Sequence, residues 1–363
     1  MKTMEPVVYR SDFEIGEENE AATIAELTKT LTHIEDIVFK DSNHAERSVH
    51  AKSHGLLEGT LTVNADLPAE LRQGLFAEPR DYPVIVRFST SPGDVLSDAV
   101  STPRGIAIKV LDVTGERLAG DTEQNTQDFL MVDGPAFLAP GPKKFLASLK
   151  ALAGTTDKAP GLKRALSFAL RGVERALEAV GGKSPTLTAL GGHRLSSILV
   201  ETYFSQVPIL FGPYMAKLSL TPESSNLTAL KEKKLDVHND DDAIRSDVVE
   251  FFRQNEARWD LRAQLCTNLD RMPIEDASVV WPDDESPFRS IAQLRIAPQT
   301  AWSPERSEAV DDGMSFNPWH CLAAHRPLGA IMRARRAAYA ASAQHRFALN
   351  RCPYHQPAKL TKA

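Results

Sequence analysis

Four residues near the C-terminus, Arg335, Tyr339, Ser342 and Arg346, stand 4, 7 and 11 positions along from the first. At about 100° per residue they return to within roughly 40° of one helical face. Ala337, Ala338, Ala340, Ala341 and Ala343 flank them. Such small neighbours let a bulky, flat group approach the backbone. A tyrosine hydroxyl is a poor metal ligand while protonated, with a pKa of about 10. An arginine one turn away favours the phenolate. A phenolate can bind ferric iron, and tyrosinate is among the axial ligands of haem. Arg346 suits a bidentate grip on a carboxylate. Taken alone, the stripe reads equally as a surface helix with snorkelling arginines and a tyrosine packed on a neighbour.

A second cluster, "RSVHAKSHG" at 47–55, leads directly into the strand-like run "LLEGTLTV". These titratable groups form either a solvated edge or a site on the strand's inner face. Period-2 alternation puts His50 and His54 on one side. His54 is then either a second proton donor or an ordinary hydrogen-bonded barrel residue. Lys52 shares their parity, and a lysine seldom faces a core unpaired. A bulge near "AKS" would break the alternation. Arg87 and Ser89 also share a face.

The elements that must position these groups follow from periodicity. Residues 17–40 read as a helix, with Ile24, Leu27, Leu31 and Ile34 at helical spacing. Runs 55–63, 82–90, 104–113 and 126–134 are rich in β-branched and aromatic residues and are separated by Pro, Gly, Asp and Asn. Four strands without intervening helices indicate an antiparallel sheet or barrel. Helical patterns at 142–154 and 161–182 form an insert. Strands resume at 200–211 and 214–222. A helix follows at 241–259, then strands at 260–268 and 290–297, then an alanine-rich helix at 328–349. The run 231–242, "KEKKLDVHNDDD", reads as a solvated loop.

Composition narrows the class. With 363 residues the chain can bury a large core. A formal charge of −6 and a pI near 6.0 argue against nucleic acid as a partner. No secretory leader and no membrane-spanning stretch is visible, so a cytoplasmic location is expected. Three cysteines, Cys266, Cys321 and Cys352, do not make a disulfide framework. "GGKS" at 181–184 lacks a phosphate loop's leading glycine, because Leu177 stands there. "HCLAAH" at 320–325 offers no second ligand pair and reads as a loop entering the last helix.

Taken in order, "RSVHAKSHG", "VIVRFSTSPGD", "TPRGIAIKVLD", "QNTQDFLMVDGPAF", "MPIEDASVVWP" and "RARRAAY" resemble the haem-containing catalase family over about residues 45–350. "FNPWHCLAAHRPLG" is similar to the shorter catalase-related peroxidases. The resemblance implies an α+β fold: an antiparallel β-barrel of about eight strands with helical insertions and a C-terminal helix carrying the proximal haem ligand. It implies an N-terminal helical arm (1–45) and a haem-binding barrel domain (46–363). No C-terminal flavodoxin-like domain is expected.

Under that resemblance, His50 is the distal histidine and Asn125 the distal asparagine. Val49 precedes His50, as in hydrogen-peroxide-decomposing members. Ser89 supports His50 from behind, and Phe137 lies over the ring. Tyr339 is the iron ligand, with Arg335 as its charge partner. Arg47, Arg87 and Arg346 hold the propionates, and Ser342 shares the cofactor-facing stripe. The cofactor implied is haem b, iron protoporphyrin IX. Ser53, His54 and Gln127 depart from the family's usual glycine, small or apolar residue, and proline.

The chemistry is coherent on its own terms. A neutral His50 takes a proton from one peroxide oxygen and delivers it to the other, and an amide orients the substrate. The expected activity is decomposition or reduction of hydrogen peroxide or organic hydroperoxides with an unidentified electron donor. The alternatives are allene-oxide-synthase-like rearrangement of fatty-acid hydroperoxides and non-catalytic haem binding. A homo-oligomer is expected, a dimer by preference, with the N-terminal arm as an exchange element.

Overall fold

The structure is a computed structural model that describes residues 5–93, 95–100, 102–118, 125–153, 195–237, 240–351 and 355. The predicted helix at 161–182, the "GGKS" stretch and Cys352 lie outside these residues. Among the described residues nine strands form one antiparallel sheet: β1 (Lys52–Val63), β2 (Asp81–Thr90), β3 (Arg104–Val110), β4 (Gln127–Val132), β5 (Tyr203–Phe204), β6 (Ile209–Phe211), β7 (Tyr214–Pro222), β8 (Ala257–Leu265) and β9 (Arg289–Ile296). Neighbours run β5-β4-β3-β2-β1-β9-β8-β7-β6, and β5 also pairs with β7. That pairing closes an eight-strand ring, leaving β6 on the side of β7. The expected barrel is therefore present.

β5 and β6 were one strand in the sequence reading. They pair with successive halves of β7, Tyr203 with Leu220 and Ile209 with Ala216. Gln206, at φ 63°, and the following Pro208 break the run between them.

Register fixes which side chains fill the barrel. Val84, Val86 and Phe88 of β2 face Val110, Ile108 and Ile106 of β3. With Leu57, Leu61, Tyr203, Leu218, Trp259 and Leu294 they build one continuous core. Arg87, Ser89 and Lys109 alternate with these residues and so point outward. The expectation that the ionisable groups look into the barrel is thus corrected: the interior is filled with apolar side chains. Both faces of β2 are buried, so parity could not tell inside from outside.

Four helices matter for the site: α1 (Glu20–Ser42), α2 (Pro142–Ala153), α3 (Ala243–Phe252) and α4 (Ala330–Asn350). α1 lays Leu27, Leu31 and Ile34 against Ala338 of α4, with Leu149 of α2 beside them. Each fully buried leucine or isoleucine contributes at most about 2–3 kcal/mol. α1 ends at Asn43, which adopts the left-handed conformation and returns its N–H to Phe39 O.

The start of α4 is clamped by carboxylates. Glu14 accepts from Gly329 N and Glu275 from Ala330 N. Arg333 then bonds Glu14, Glu20 and Glu275. Negative groups at a helix N-terminus are favourable. The N-terminal arm therefore docks on the start of the final helix.

Two other expectations change. The predicted helix 241–259 stops at Phe252 as α3, because β8 needs Trp259 for the barrel core. The 231–242 run is not wholly solvated: Asp241 O and the Asp242 carboxylate hold the buried Lys52 ammonium at 2.6 and 2.9 Å. Among the described residues no helix is long and apolar enough to cross a membrane.

Candidate functional site

The site lies on the outer wall of the barrel, between the β1–β2–β3 end and α4. His50 precedes β1 with φ 55°, a left-handed conformation that a non-glycine residue adopts at a cost and that is enriched at functional positions. Gly105 makes room for it: a Cβ there would come within 2.7 Å of the ring. Ser89 Oγ lies 3.3 Å from Nδ1, as expected. Ser91 Oγ lies 3.2 Å from Nε2, a contact the sequence reading missed. Burial and then Arg87 push the His50 pKa down to about 4 against the opposing pull of Asp133, with a smaller push from Arg335. At neutral pH the ring is uncharged and can act as a base.

Arg47, Arg87 and Arg346 converge. Arg47 Nη1 and Arg87 Nε donate to Asp311 Oδ1 at 2.9 and 2.7 Å. Arg47 and Arg346 also meet the carbonyl of Met314. Ser53 and Ser307 donate to Asp311 Oδ2 at 2.7 and 2.9 Å. Burial opposes the Asp311 charge. Arg87, Arg47 and these donors overcome it and hold the carboxyl well below its usual range. Asp311 sits in no motif of the sequence reading; its signal was the need of three buried arginines for a counter-charge.

Three guanidiniums around one Asp311 leave a cationic surplus, only partly met by the nearby Glu35 and Glu46 carboxyls, which burial pushes up. Arg346 Nε is buried and lacks an acceptor among the described residues. An unsatisfied guanidinium N–H fits a carboxylate-bearing group at this edge.

α4 carries the second half of the site. Tyr339 is half-buried, and its hydroxyl has no hydrogen-bond partner among the described residues, which suits a ligand. Arg335 does not pair with it. Its guanidinium turns over the Phe137 ring at 5.5 Å and toward Met332 Sδ at 3.9 Å, where an aromatic face and a sulfur receive it. Phe137 therefore touches the α4 side, against Phe145 at 4.9 Å, instead of facing it from across the site. Ser342 donates to Glu35 of α1 and lies 3.2 Å from Ser48 Oγ. Val49 packs with Leu27, Leu31, Ile34 and Ala338.

Asn125 is a correction. It lies exposed two residues before β4, at the end where Gln127 pairs with Val110. His50 packs at the other end, where Val132 pairs with Gly105. Five residues of β3, about 16 Å of strand, separate the two ends. The short "NT" match could not fix which end of β4 would lie beside His50.

Among the described residues, no group of three or more His, Cys, Asp or Glu side chains is placed to hold a metal ion, "HCLAAH" included. His325 Nε2 accepts from Leu75 N at 2.9 Å, and His320 bonds Asp128 at 3.0 Å. Asp128, directly across from Lys109 on the outer face, escaped the sequence reading altogether.

An eight-stranded antiparallel barrel with a terminal helix laid over an arginine-rich outer wall defines the fold class. The catalase family model matches residues 17–358, and the chain belongs to the catalase family. Solved structures agree on the fold. A fungal catalase is 18% identical with a TM-score of 0.59, covering 88% of this chain and 64% of its own. A bacterial catalase is 17% identical with a TM-score of 0.59, covering 90% and 63%. Catalase A from Saccharomyces cerevisiae is 17% identical with a TM-score of 0.58, covering 97% and 72%. The chain thus spans a little under two thirds of the first two structures. No curated protein sequence matches it.

Proposed function

We propose that this protein holds haem b between His50 and Tyr339 and consumes hydrogen peroxide or organic hydroperoxides, by catalase or peroxidase turnover. The observation that carries this reading is the convergence of Arg47, Arg87 and Arg346 beside a neutral His50. Those arginines would grip the propionates, with Arg346 Nε gaining the acceptor it lacks. Tyr339 would supply the phenolate ligand.

Bound haem supplies the redox chemistry of oxygen–oxygen cleavage. The chain supplies the proton handling. His50 Nε2 takes the proton of the peroxide and returns it to the departing oxygen. Ser89 at Nδ1 holds the tautomer with its lone pair on Nε2. With Asn125 remote, Ser91 is the polar side chain beside the reactive nitrogen. Val49, packed among aliphatic side chains, keeps its flank dry. The electron donor and a homo-oligomeric state, by preference dimeric, belong to the same proposal.

Titration of the purified protein with haemin tests it. A stoichiometric Soret band, displaced or lost in Tyr339→Phe, is the expected result. Peroxide consumption should fall about 100-fold or more in His50→Ala. Oxygen evolution from hydrogen peroxide, compared with products from a lipid hydroperoxide, separates this reading from fatty-acid hydroperoxide rearrangement. Haem uptake without either product would leave only haem binding. No visible absorbance in a folded, haemin-supplied sample overturns the proposal.

A further inference from the structure

His54 is the inserted residue of a β-bulge. Ser53 pairs with Ser89 and Gly55 with Phe88, so His54 has no partner across the strand. The bulge aims its ring at the end of β2. The ring is fully buried, and Nε2 meets Thr90 Oγ1 at 2.9 Å. Nδ1 has no hydrogen bond among the described residues; the Asp98 carboxylate stands 3.9 Å away.

Thr90, Ser91 and Asp98 all line one small, partly open chamber, with Ser97, Leu96, Ile244 and Arg104 among its other walls. It offers about 20 Å³ to the centre of a water molecule, above the roughly 10–15 Å³ that one water needs. Thr90 bonds His54, and Ser91 bonds His50 Nε2.

We propose that the chamber is a one-water site and that His54 is a positioning residue, acting through Thr90, that water and Ser91 on the reactive nitrogen of His50. The inference rests on the reading of His50 as the acid–base group. His54 is neutral: burial and the surrounding Lys52, Arg245, Arg87 and Arg104 oppose its protonation, and Asp98 faces its Nδ1. An Nδ1–H directed at Asp98 leaves Nε2 to accept the Thr90 hydroxyl proton. Thr90 Oγ1 then accepts from the water, the water donates to Ser91 Oγ, and Ser91 donates to His50 Nε2 until a peroxide hydroxyl takes its place. His50 is thereby held with its proton on Nδ1, toward Ser89. No net charge moves; Thr90, with its own proton committed to His54, takes one proton of the water and leaves the other facing Ser91.

Thr90→Val removes the hydroxyl at constant shape, and Thr90→Ser restores it. A crystal structure of the whole protein should show one water within hydrogen-bond reach of Thr90 and Ser91, absent from Thr90→Val. Ring ¹⁵N resonances of His50, readable with or without cofactor, should report the Nδ1–H tautomer in the native protein and a mixture in Thr90→Val and His54→Ala. In the haem-loaded enzyme both variants should lower kcat about tenfold with little change in KM, and Thr90→Ser should recover it. A dry chamber, or His50 resonances indifferent to Thr90→Val, overturns the proposal. Peroxide turnover indifferent to His50→Ala overturns the proposed function instead, and with it the catalytic meaning of the path.

Discussion

Arg47 and Arg87 share a single oxygen, Asp311 Oδ1, at 2.9 and 2.7 Å, on the outer wall of the barrel. Two buried guanidiniums on one carboxylate are stable only while that carboxylate is charged. Removing one member of a buried pair costs about 3–5 kcal/mol, because the other charge is left uncompensated. Asp311→Asn is therefore expected to lose that much stability in urea unfolding. If it loses under about 1 kcal/mol, Asp311 does not hold the arginines.

Glu35 gives a pH dependence of defined sign. It is buried on α1, accepts from Ser342, and has an Oε2 without a hydrogen-bond partner among the described residues. Burial pushes its pKa up to about 7, against the lesser opposing effects of Ser342 and Arg346. Its raised folded pKa means the native state holds a proton that the unfolded chain gives up at an ordinary carboxyl pKa. Its contribution is present below about pH 4.5 and is lost as pH rises through 7, by up to about 3 kcal/mol. Glu35→Gln should flatten that part of the stability–pH profile. An unchanged slope between pH 5 and 7 would show that Glu35 ionises freely.

How much of this was legible in the sequence follows from what period and type can encode. Alternation placed β1 to β4 within three residues at each end, because Val, Ile and Phe recur at period 2. It could not assign Arg87 and Ser89 to the outer wall, since α4 and the 310–316 segment bury that face too. His50, Ser89 and the three arginines were found from local motifs that the fold brings together. Asp311, Ser91 and Asp128 were not, because each acts through a partner far away in sequence. Arg335 and Asn125 failed for the same reason: a spacing match fixes a position on an element, not the neighbour that captures the side chain.

His325 should govern acid stability. Its Nε2 must be unprotonated to accept from Leu75 N, and burial pushes its pKa down to about 4. A depressed histidine contributes stability above the unfolded value of about 6.5, and that contribution is lost as pH falls through 4. His325→Gln retains an acceptor without the titration. Its unfolding free energy should fall less than the native protein's between pH 6.5 and 4. Parallel curves for the two proteins would remove His325 from the acid response.

Lys109 and Asp128 face each other across β3 and β4, both fully buried, with two contacts of 2.8 Å. The carboxylate also accepts from Asn317 N and meets His320, and the ammonium stands 5.4 Å above the Phe316 ring. Replacing both members by apolar residues would be near neutral for an isolated pair. Here it would strand the Asn317 N–H, at about 1–3 kcal/mol. The informative double variant is therefore Lys109→Met with Asp128→Asn, whose amide oxygen still accepts from Asn317. Each single change should cost about 3–5 kcal/mol, whereas the double should cost about 2 kcal/mol or less. If the two costs simply add, the ion pair does not couple these strands, and the 316–320 segment is held against the wall by packing alone.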